Sequence, residues 1–250
     1  CCHGLHGRAE GRHRGAGRVL PSFGVTAPPR DEAELTARAA ALAGLRLAEL
    51  AARFEVPVPP DLRRAKGFVG GLLERALGAT AGSRALPDFP ELGIELKTLP
   101  VDRAGAPVES TFVCTIPLTE IGQVEWEDSR VRRKLSIVLW VPVEGERQIP
   151  VGERRIGQSL LYRLPPEDEA VLRADWEELA GYIGRGHVEA LTGHLGKFLQ
   201  IRPKAAHSRA RRVGIDADGV PFAALPKGFY LRPSFTGALL RRHFALPPKA

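Results

Sequence analysis

The run Leu135-Ser136-Ile137-Val138-Leu139-Trp140-Val141 is apolar at positions of both parities and rich in branched residues. A strand with one wet face alternates apolar and polar side chains, so a run that fails to alternate is read as a central strand covered on both faces. Such a strand needs a layer on each side, which points to an α/β mixed chain with a sheet flanked by helices. The 250 residues suffice for one large domain or two small lobes with a proper core. Apolar content of 44% and charged content of 26% are ordinary for a globular protein.

The remaining elements follow from periodicity. Asp31, or the Pro29–Arg30 step, opens a helix in which Leu35, Ala39 and Leu42 recur at helical spacing. Gly44 interrupts, Leu47, Leu50, Ala51 and Phe54 form a second short amphipathic helix, and the prolines of 56–60 end it. A third helix runs from about Gly67 to Leu77, burying Phe68, Leu72, Leu73 and Ala76, with Gly78 as its stop. Glu74 lies off that stripe, either solvated or reaching into a cleft. A strand is expected from Leu92 to Leu99, then a turn at 102–105 and a neighbouring strand from Thr111 to Ile116, paired as an antiparallel hairpin. Further on come a strand near 155–162, a long helix from Pro166, and a short helix from His187 to Leu195. A strand over 197–204 puts Gln200 and Arg202 on one face. Asp216-Ala217-Asp218-Gly219 reads as a turn, Lys227 to Leu231 as a strand, and Ser234 as the cap of a final helix.

Charge and cysteine content narrow the function. A net charge of +7 favours an anionic partner, nucleic acid first and an acidic membrane surface second. Three cysteines, two of them adjacent at Cys1-Cys2, make neither a disulfide framework nor a zinc spacing, which suits a reducing compartment. No apolar run approaches membrane-spanning length. Residues 1–30 are rich in Gly, Arg and His, lack a hydrophobic period and contain no methionine. They are expected to be a disordered basic arm or sequence upstream of the true start, with residues 31–250 forming a single domain.

One stretch carries chemistry: Pro87-Asp88-Phe89-Pro90-Glu91-Leu92-Gly93-Ile94-Glu95-Leu96-Lys97-Thr98. As a strand, Ile94 and Leu96 face one way while Glu95 and Lys97 face the other. Charges taken out of water cost several kcal/mol (~3–5) unless they are paired or bound. Two readings answer that cost. One is a half-exposed edge strand with a Glu–Lys surface pair. The other is a metal site, with Asp88 and Glu95 as hard oxygen ligands suited to a hydrated Mg2+ and Lys97 beside a water or a phosphate. Cys114, placed mid-strand with no histidine near it in sequence, is read as a small buried hydrophobe and not as a nucleophile. The basic segment around Arg202-Pro203-Lys204 is either a DNA-tracking ridge or a solvated loop, and Gln200 beside Arg202 favours base or phosphate contact.

Several blocks together resemble the MutH family, the nicking endonucleases of methyl-directed mismatch repair. They include Lys66-Gly67-Phe68-Val69-Gly70, Leu72-Leu73-Glu74, Asp88-Phe89 with Gly93 to Asp102, and Thr111-Phe112-Val113-Cys114. Further on they include Val131 to Leu135, Leu139 to Arg147, Asp175 to Leu179, Leu199 to Ala206 and Gly228 to Leu231. The resemblance runs in consistent order from about Asp31 to Phe244.

It implies a restriction-endonuclease-like mixed sheet in two lobes around a DNA cleft, in a monomeric bacterial cytoplasmic enzyme. The implied reaction is Mg2+-dependent nicking of the unmethylated strand at hemimethylated GATC sites in double-stranded DNA, stimulated by MutL with MutS upstream. By position, Asp88, Glu95 and Lys97 would be the catalytic motif, with Asp88 and Glu95 on the metal. Glu74 would assist with a second metal, and Lys134 would sit beside the scissile phosphate. Lys66, Gly67, Phe112, Gln200, Arg202, Pro203 and Lys204 would meet DNA, and Tyr230 would sense adenine methylation. The rival readings are a GATC-specific restriction enzyme that cuts both strands and a catalytically silent DNA-binding partner of MutL. Residues before Asp31 have no counterpart in the resemblance, and the arginine-rich 205–225 diverges from it.

Overall fold

Asp31 opens the first helix as its side chain accepts a hydrogen bond from the Glu34 amide at 2.8 Å, satisfying a donor that the first turn leaves unpaired. In the computed structural model, which describes residues 26–82, 84–188, 191, 193–204 and 209–245, that helix is α1 (Glu32–Leu42). It is followed by α2 (Leu47–Arg53) and α3 (Phe68–Leu77). Gly78 ends α3 in the left-handed region at φ 81°, where a Cβ would lie 2.3 Å from the Ala27 carbonyl oxygen, so glycine is required there on two counts. The buried residues of these helices are those the spacing marked, except that Phe68 and Ala76 are only half-buried and Leu77 takes a core position.

The strands are β1 (Glu95–Val101), β2 (Thr111–Thr115), β3 (Ile137–Glu144), β4 (Leu160–Arg163), β5 (Leu199–Pro203), β6 (Arg212–Ile215), β7 (Pro221–Ala224) and β8 (Lys227–Leu231). They make a three-stranded mixed sheet in the order β1-β3-β4, an antiparallel sheet in the order β2-β8-β5, and the ribbon β6-β7. The expected hairpin between the first two strands does not form. Instead β1 runs parallel to β3, Glu95 opposite Val138 and Lys97 opposite Trp140, while β2 pairs with β8 far along the chain. The turn at 102–105 is real: the Asp102 carboxylate accepts from the amides of Ala104 and Ala106, both at 2.9 Å. It returns the chain to the Val101–Pro107 bridge and one further bond, the Val108 amide donating to the Pro100 carbonyl at 3.0 Å, and no ladder of strands follows.

Strand β3 is central, as its pattern requires. Val138 and Trp140 pack into one hydrophobic core with β2, β5, β8, α5 (Pro166–Gly184) and α6 (Pro233–Phe244). Leu139, Val141 and Val143 pack into a second core with α1, α2 and α3. Thus the β1-β3-β4 sheet is the wall between two cores, and side chains on its two faces alternate between them. The short α4 (Arg130–Leu135) lies just before β3, with the Ser129 hydroxyl accepting from the Arg132 amide at 3.1 Å at its start.

Two details differ from expectation, and the expected 216–219 turn proves to carry a ribbon. Residues 90–92 form a 3-10 turn and not the start of a strand. Arg232, not Ser234, occupies the N-cap of α6, because Pro233 with its fixed φ takes the first helical position. The ribbon β6-β7 flanks the 216–219 turn, where Asp216 accepts from the amides of Asp218 and Val220 at 3.0 and 2.8 Å. Of the expected disordered arm at 1–30, residues 1–25 lie outside the described residues, whereas 26–30 are placed against α1, the Ala27 carbonyl accepting from Arg38 at 2.7 Å and the Arg30 amide donating to Glu34 at 3.0 Å. Part of the expected 187–195 helix also lies outside the described residues.

Candidate active site

The six residues between Asp88 and Glu95 fold into a closed loop. Phe89 and Ile94 form an antiparallel bridge, the Phe89 amide donating to the Ile94 carbonyl at 2.9 Å and the Ile94 amide to the Phe89 carbonyl at 3.3 Å. Pro90 starts the intervening 3-10 turn, and Gly93 ends it at φ 66°, a conformation glycine adopts without a Cβ penalty. The closure returns Asp88 to the side of β1, where its Oδ2 accepts the Leu96 amide at 2.8 Å. Ile94 and Leu96 enter the second core, and Glu95 and Lys97 project from the opposite face.

Glu95 is 4% exposed and Lys97 is 8% exposed. Lys97 Nζ donates to Glu95 Oε1 at 3.0 Å, and Lys134 Nζ donates to Glu95 Oε2 at 2.8 Å and to the Leu86 carbonyl at 3.0 Å. Each carboxylate oxygen therefore faces its own ammonium, which is what a buried charge needs to be tolerated. Glu74 reaches the same place from α3. Its carboxyl is half-buried, and among the described residues nothing donates a hydrogen bond to it. Burial pushes its pKa up, and the charges of Asp88 and Glu95 push it further. Asp88 is also raised, first by burial and then by Glu95, against the opposing pull of the Leu96 amide.

These five side chains line one cleft of about 400 Å³, with Phe112 to Thr115 of β2 as its other wall and Arg130 and Arg133 also lining it. Cys114 lies in that wall, but burial lifts its thiol to about 11, so it is protonated at neutral pH and is no nucleophile. Among the described residues, no three His, Cys, Asp or Glu side chains converge closely enough to share an ion. Mg2+ does not need such a cluster, since it is bound through one or two carboxylates and keeps several waters. Asp88 and Glu95 fit that demand: both are hard oxygen donors on one cleft, and burial first and neighbouring acids second raise Asp88 and Glu74 there.

A second cluster adjoins the cleft through Phe112. The Phe112 and Tyr230 rings meet edge-on at 5.3 Å between centroids, Lys204 Nζ stands 4.0 Å above Phe112, and the Arg202 guanidinium stands 5.9 Å from the Tyr230 centroid. Most of Lys204 is exposed, yet its ammonium is partly desolvated against that ring; this, and then the charge of Lys66, lowers its pKa. Arg202, Pro203 and Lys204 are exposed at the end of β5, and Lys66 and Gly67 are exposed at the start of α3. Gln200 is buried and opposite Tyr230 in the sheet register, its amide donating to Ser110 Oγ at 2.8 Å.

Two supporting residues escape a reading by motif. The buried Asp175 carboxylate accepts the amides of Lys197, Phe198 and Leu199 at 2.7, 2.6 and 2.8 Å, fixing the entry to β5. Arg232 donates to the carbonyls of Gly193, Leu195 and Gly196 at 2.6, 2.8 and 3.0 Å, holding the same turn from the other side. Asp175 was detectable, since a carboxylate three residues after Leu172 and four before Leu179 sits on the apolar stripe of α5.

Known proteins resemble this chain over nearly its whole length. The family model described as DNA mismatch repair enzyme MutH matches residues 77–175, the span holding Asp88, Glu95, Lys97 and Lys134. The DNA mismatch repair protein MutH of Serratia proteamaculans is 57% identical over 217 residues, covering 87% of this chain and 95% of that protein. Its counterparts from Photorhabdus laumondii and Pectobacterium atrosepticum are 53% and 54% identical over 224 residues, covering 90% of this chain and 98% and 96% of theirs. With the acidic cleft and its cationic border on a mixed sheet, this chain belongs to the MutH family of DNA mismatch repair endonucleases.

Proposed function

We propose that this endonuclease nicks the unmethylated strand of hemimethylated GATC sites, that its divalent metal is Mg2+, and that MutL stimulates it after MutS has detected a mismatch. The reading is carried by one observation: Glu74, Asp88, Glu95, Lys97 and Lys134 converge on a single cleft whose wall, Phe112, continues into the strip of Tyr230, Arg202 and Lys204. Mg2+, when bound, neutralises phosphodiester charge and lowers the pKa of a water it holds. Asp88 and Glu95 would be its ligands, with Glu74 helping to hold a second ion.

The chain's own groups then have distinct tasks. Lys97, held in place by Glu95 at 3.0 Å, positions the attacking water from the strand. Lys134, on α4, offers its ammonium to the charge that builds on the phosphoryl oxygens as the phosphorus–oxygen bond breaks. Gln200, Arg202, Pro203 and Lys204 meet the DNA from β5, and Lys66 and Gly67 from the start of α3. Tyr230 forms an aromatic wall that a methyl group on adenine would strike in the major groove. The net charge of +7 suits the polyanion. No helix among the described residues is long and apolar enough to cross a membrane. The enzyme acts as a monomer in the bacterial cytoplasm.

The test is strand-resolved cleavage of unmethylated, hemimethylated and fully methylated GATC duplexes in Mg2+, with and without MutL. Nicking confined to unmethylated strands is expected. Equal cutting of the fully methylated duplex overturns the methylation claim, and double-strand breaks without MutL point to a restriction enzyme.

A further inference from the structure

Ser110, one residue before β2, makes an arrangement that the family reading does not use. Its Oγ accepts Gln200 Nε2 at 2.8 Å and Arg202 Nη1 at 3.2 Å. A serine hydroxyl has two lone pairs and one proton. Both lone pairs are occupied by side chains of β5, so the O–H is left to donate outward. Gln200 and Arg202 are two residues apart on one strand and share a face, and both converge on this one oxygen. Gln200 is 7% exposed, so its amide needs the partner. Arg202 is exposed, and its guanidinium is bracketed by Ser110 on one side and the Tyr230 ring, 5.9 Å away, on the other. An exposed arginine otherwise samples many rotamers, and ordering such a side chain on binding costs about 0.5–1.5 kcal/mol.

We propose that Ser110 is a positioning residue for site selection: by accepting from Gln200 and Arg202 together it sets the Arg202 guanidinium in one orientation before DNA arrives, and its own O–H donates to an acceptor on the DNA. The inference rests on Arg202 reading the recognition site. A guanidinium fixed against Tyr230 presents its remaining N–H groups in a defined plane, as bidentate contact with a base edge requires. A loose one makes phosphate contacts that every sequence satisfies equally. Ser110 also joins β2, which carries Phe112 in the wall of the acidic cleft, to the strand that meets the DNA.

The experiment measures equilibrium binding in metal-free buffer by fluorescence anisotropy, to a GATC duplex and to a scrambled duplex of equal composition. The proteins are wild type, Ser110→Ala, Ser110→Thr, Arg202→Ala and the double variant Ser110→Ala/Arg202→Ala. For Ser110→Ala the ratio of GATC to scrambled affinity is expected to fall about tenfold. Ser110→Thr keeps the oxygen and recovers most of the ratio. In the Arg202→Ala background, Ser110→Ala loses the part of its effect that acts through the guanidinium and keeps only the smaller part of its own O–H. An unchanged ratio in Ser110→Ala overturns the inference, as does a full Ser110→Ala effect persisting without Arg202. Equal weakening on both duplexes together with a lowered melting temperature makes Ser110 merely structural and also overturns it. If Arg202→Ala itself leaves the ratio intact, the assignment of Arg202 to the site fails; if Arg202→Ala lowers it and Ser110→Ala does not, only the role of Ser110 fails.

Discussion

Replacing Glu74 with glutamine should make the metal-free protein more stable. The Glu74 carboxylate faces Asp88 and Glu95 across the cleft, half-buried and without a hydrogen-bond donor among the described residues. The two nearby ammoniums, Lys97 and Lys134, are already committed to the oxygens of Glu95. Burial first, and the neighbouring acids second, raise the Glu74 pKa above 4.5, so the fold disfavours its charged form. For an acid raised in the folded state the penalty is complete above the folded pKa and absent below the unfolded one. At pH 8 the wild type therefore carries it and Glu74→Gln does not, whereas well below pH 4.5 both side chains are neutral and the difference closes. Relief of functionally retained strain of this sort stabilises by about 0.5–2 kcal/mol. For a chain of this length that is a rise in Tm of about 1–8 °C.

Thermal unfolding of both proteins in EDTA at pH 8, followed by circular dichroism, measures the difference. The same scans in Mg2+ should narrow or reverse it, because an ion at one hundred times its Kd stabilises the folded state by about 2.7 kcal/mol. Wild type, with its full acid set, gains more. A Tm for Glu74→Gln equal to or below that of wild type in EDTA refutes the charge argument. An equal Mg2+ response in both proteins refutes the placement of Glu74 at a metal.

Further outcomes follow from the same contacts. Glu95→Ala should abolish nicking and also destabilise by about 3 kcal/mol, since Lys97 and Lys134 lose their counter-ion; retained cleavage in a nicking assay would remove the site from consideration. Asp175→Ala leaves three backbone amides at the entry to β5 without their acceptor and should cost about 3 kcal/mol or more in urea unfolding; a loss below about 1 kcal/mol would show that water replaces it. Because the pKa values of Asp88 and Glu74 are both raised, protons compete for the site, so calorimetric Mg2+ affinity should weaken as pH falls and begin to do so above the ordinary carboxylate range. A flat profile down to pH 5 would contradict it.

Local pattern carried the parts of this fold that depend on local chemistry. The Asp31 cap, the α1 stripe and the doubly buried β3 each follow from spacing, because a cap and a face are decided within a few residues. Which strands pair is decided elsewhere. The chain from β1 to β2 offers good turn chemistry at 102–105, yet β1 reaches past it to β3 and β2 pairs with β8, where the apolar side chains of both find their cores. No periodicity within 95–115 encodes a partner more than a hundred residues away. The candidate site divides in the same way. Asp88, Glu95 and Lys97 are legible as an unusual charge pattern on a strand, but Glu74 looks like any solvated glutamate until α3 is packed against β1. Ser110 and Arg232 are invisible in sequence, because each works by a contact made across the sheet.

The position of the acids at the junction of the two cores explains why the protein tolerates them. A fully buried Glu–Lys pair is at best neutral for stability, and two leucines in its place would pack well on a sheet face. Leu99, two residues on from Lys97 and on the same strand face, is buried in the first core. So that face changes character within one step, from wet cleft to dry core. On the cleft side the three carboxylates Glu74, Asp88 and Glu95 share the lining with Lys97, Lys134, Arg84, Arg130 and Arg133, and among the described residues only Glu95 of the three makes an ion pair. A dication would supply Glu74 and Asp88 with the direct counter-charge that neither has, while the Glu95 pairs hold both lysine side chains in place beside it. Turning Lys97 or Lys134 into a neutral residue would remove a positive charge beside Glu95 and should tighten metal binding while slowing cleavage. On the proposed roles Lys97 positions the water and Lys134 meets charge at the phosphate; a mutant that lost metal and activity together would show instead that their task is only to hold Glu95 in place.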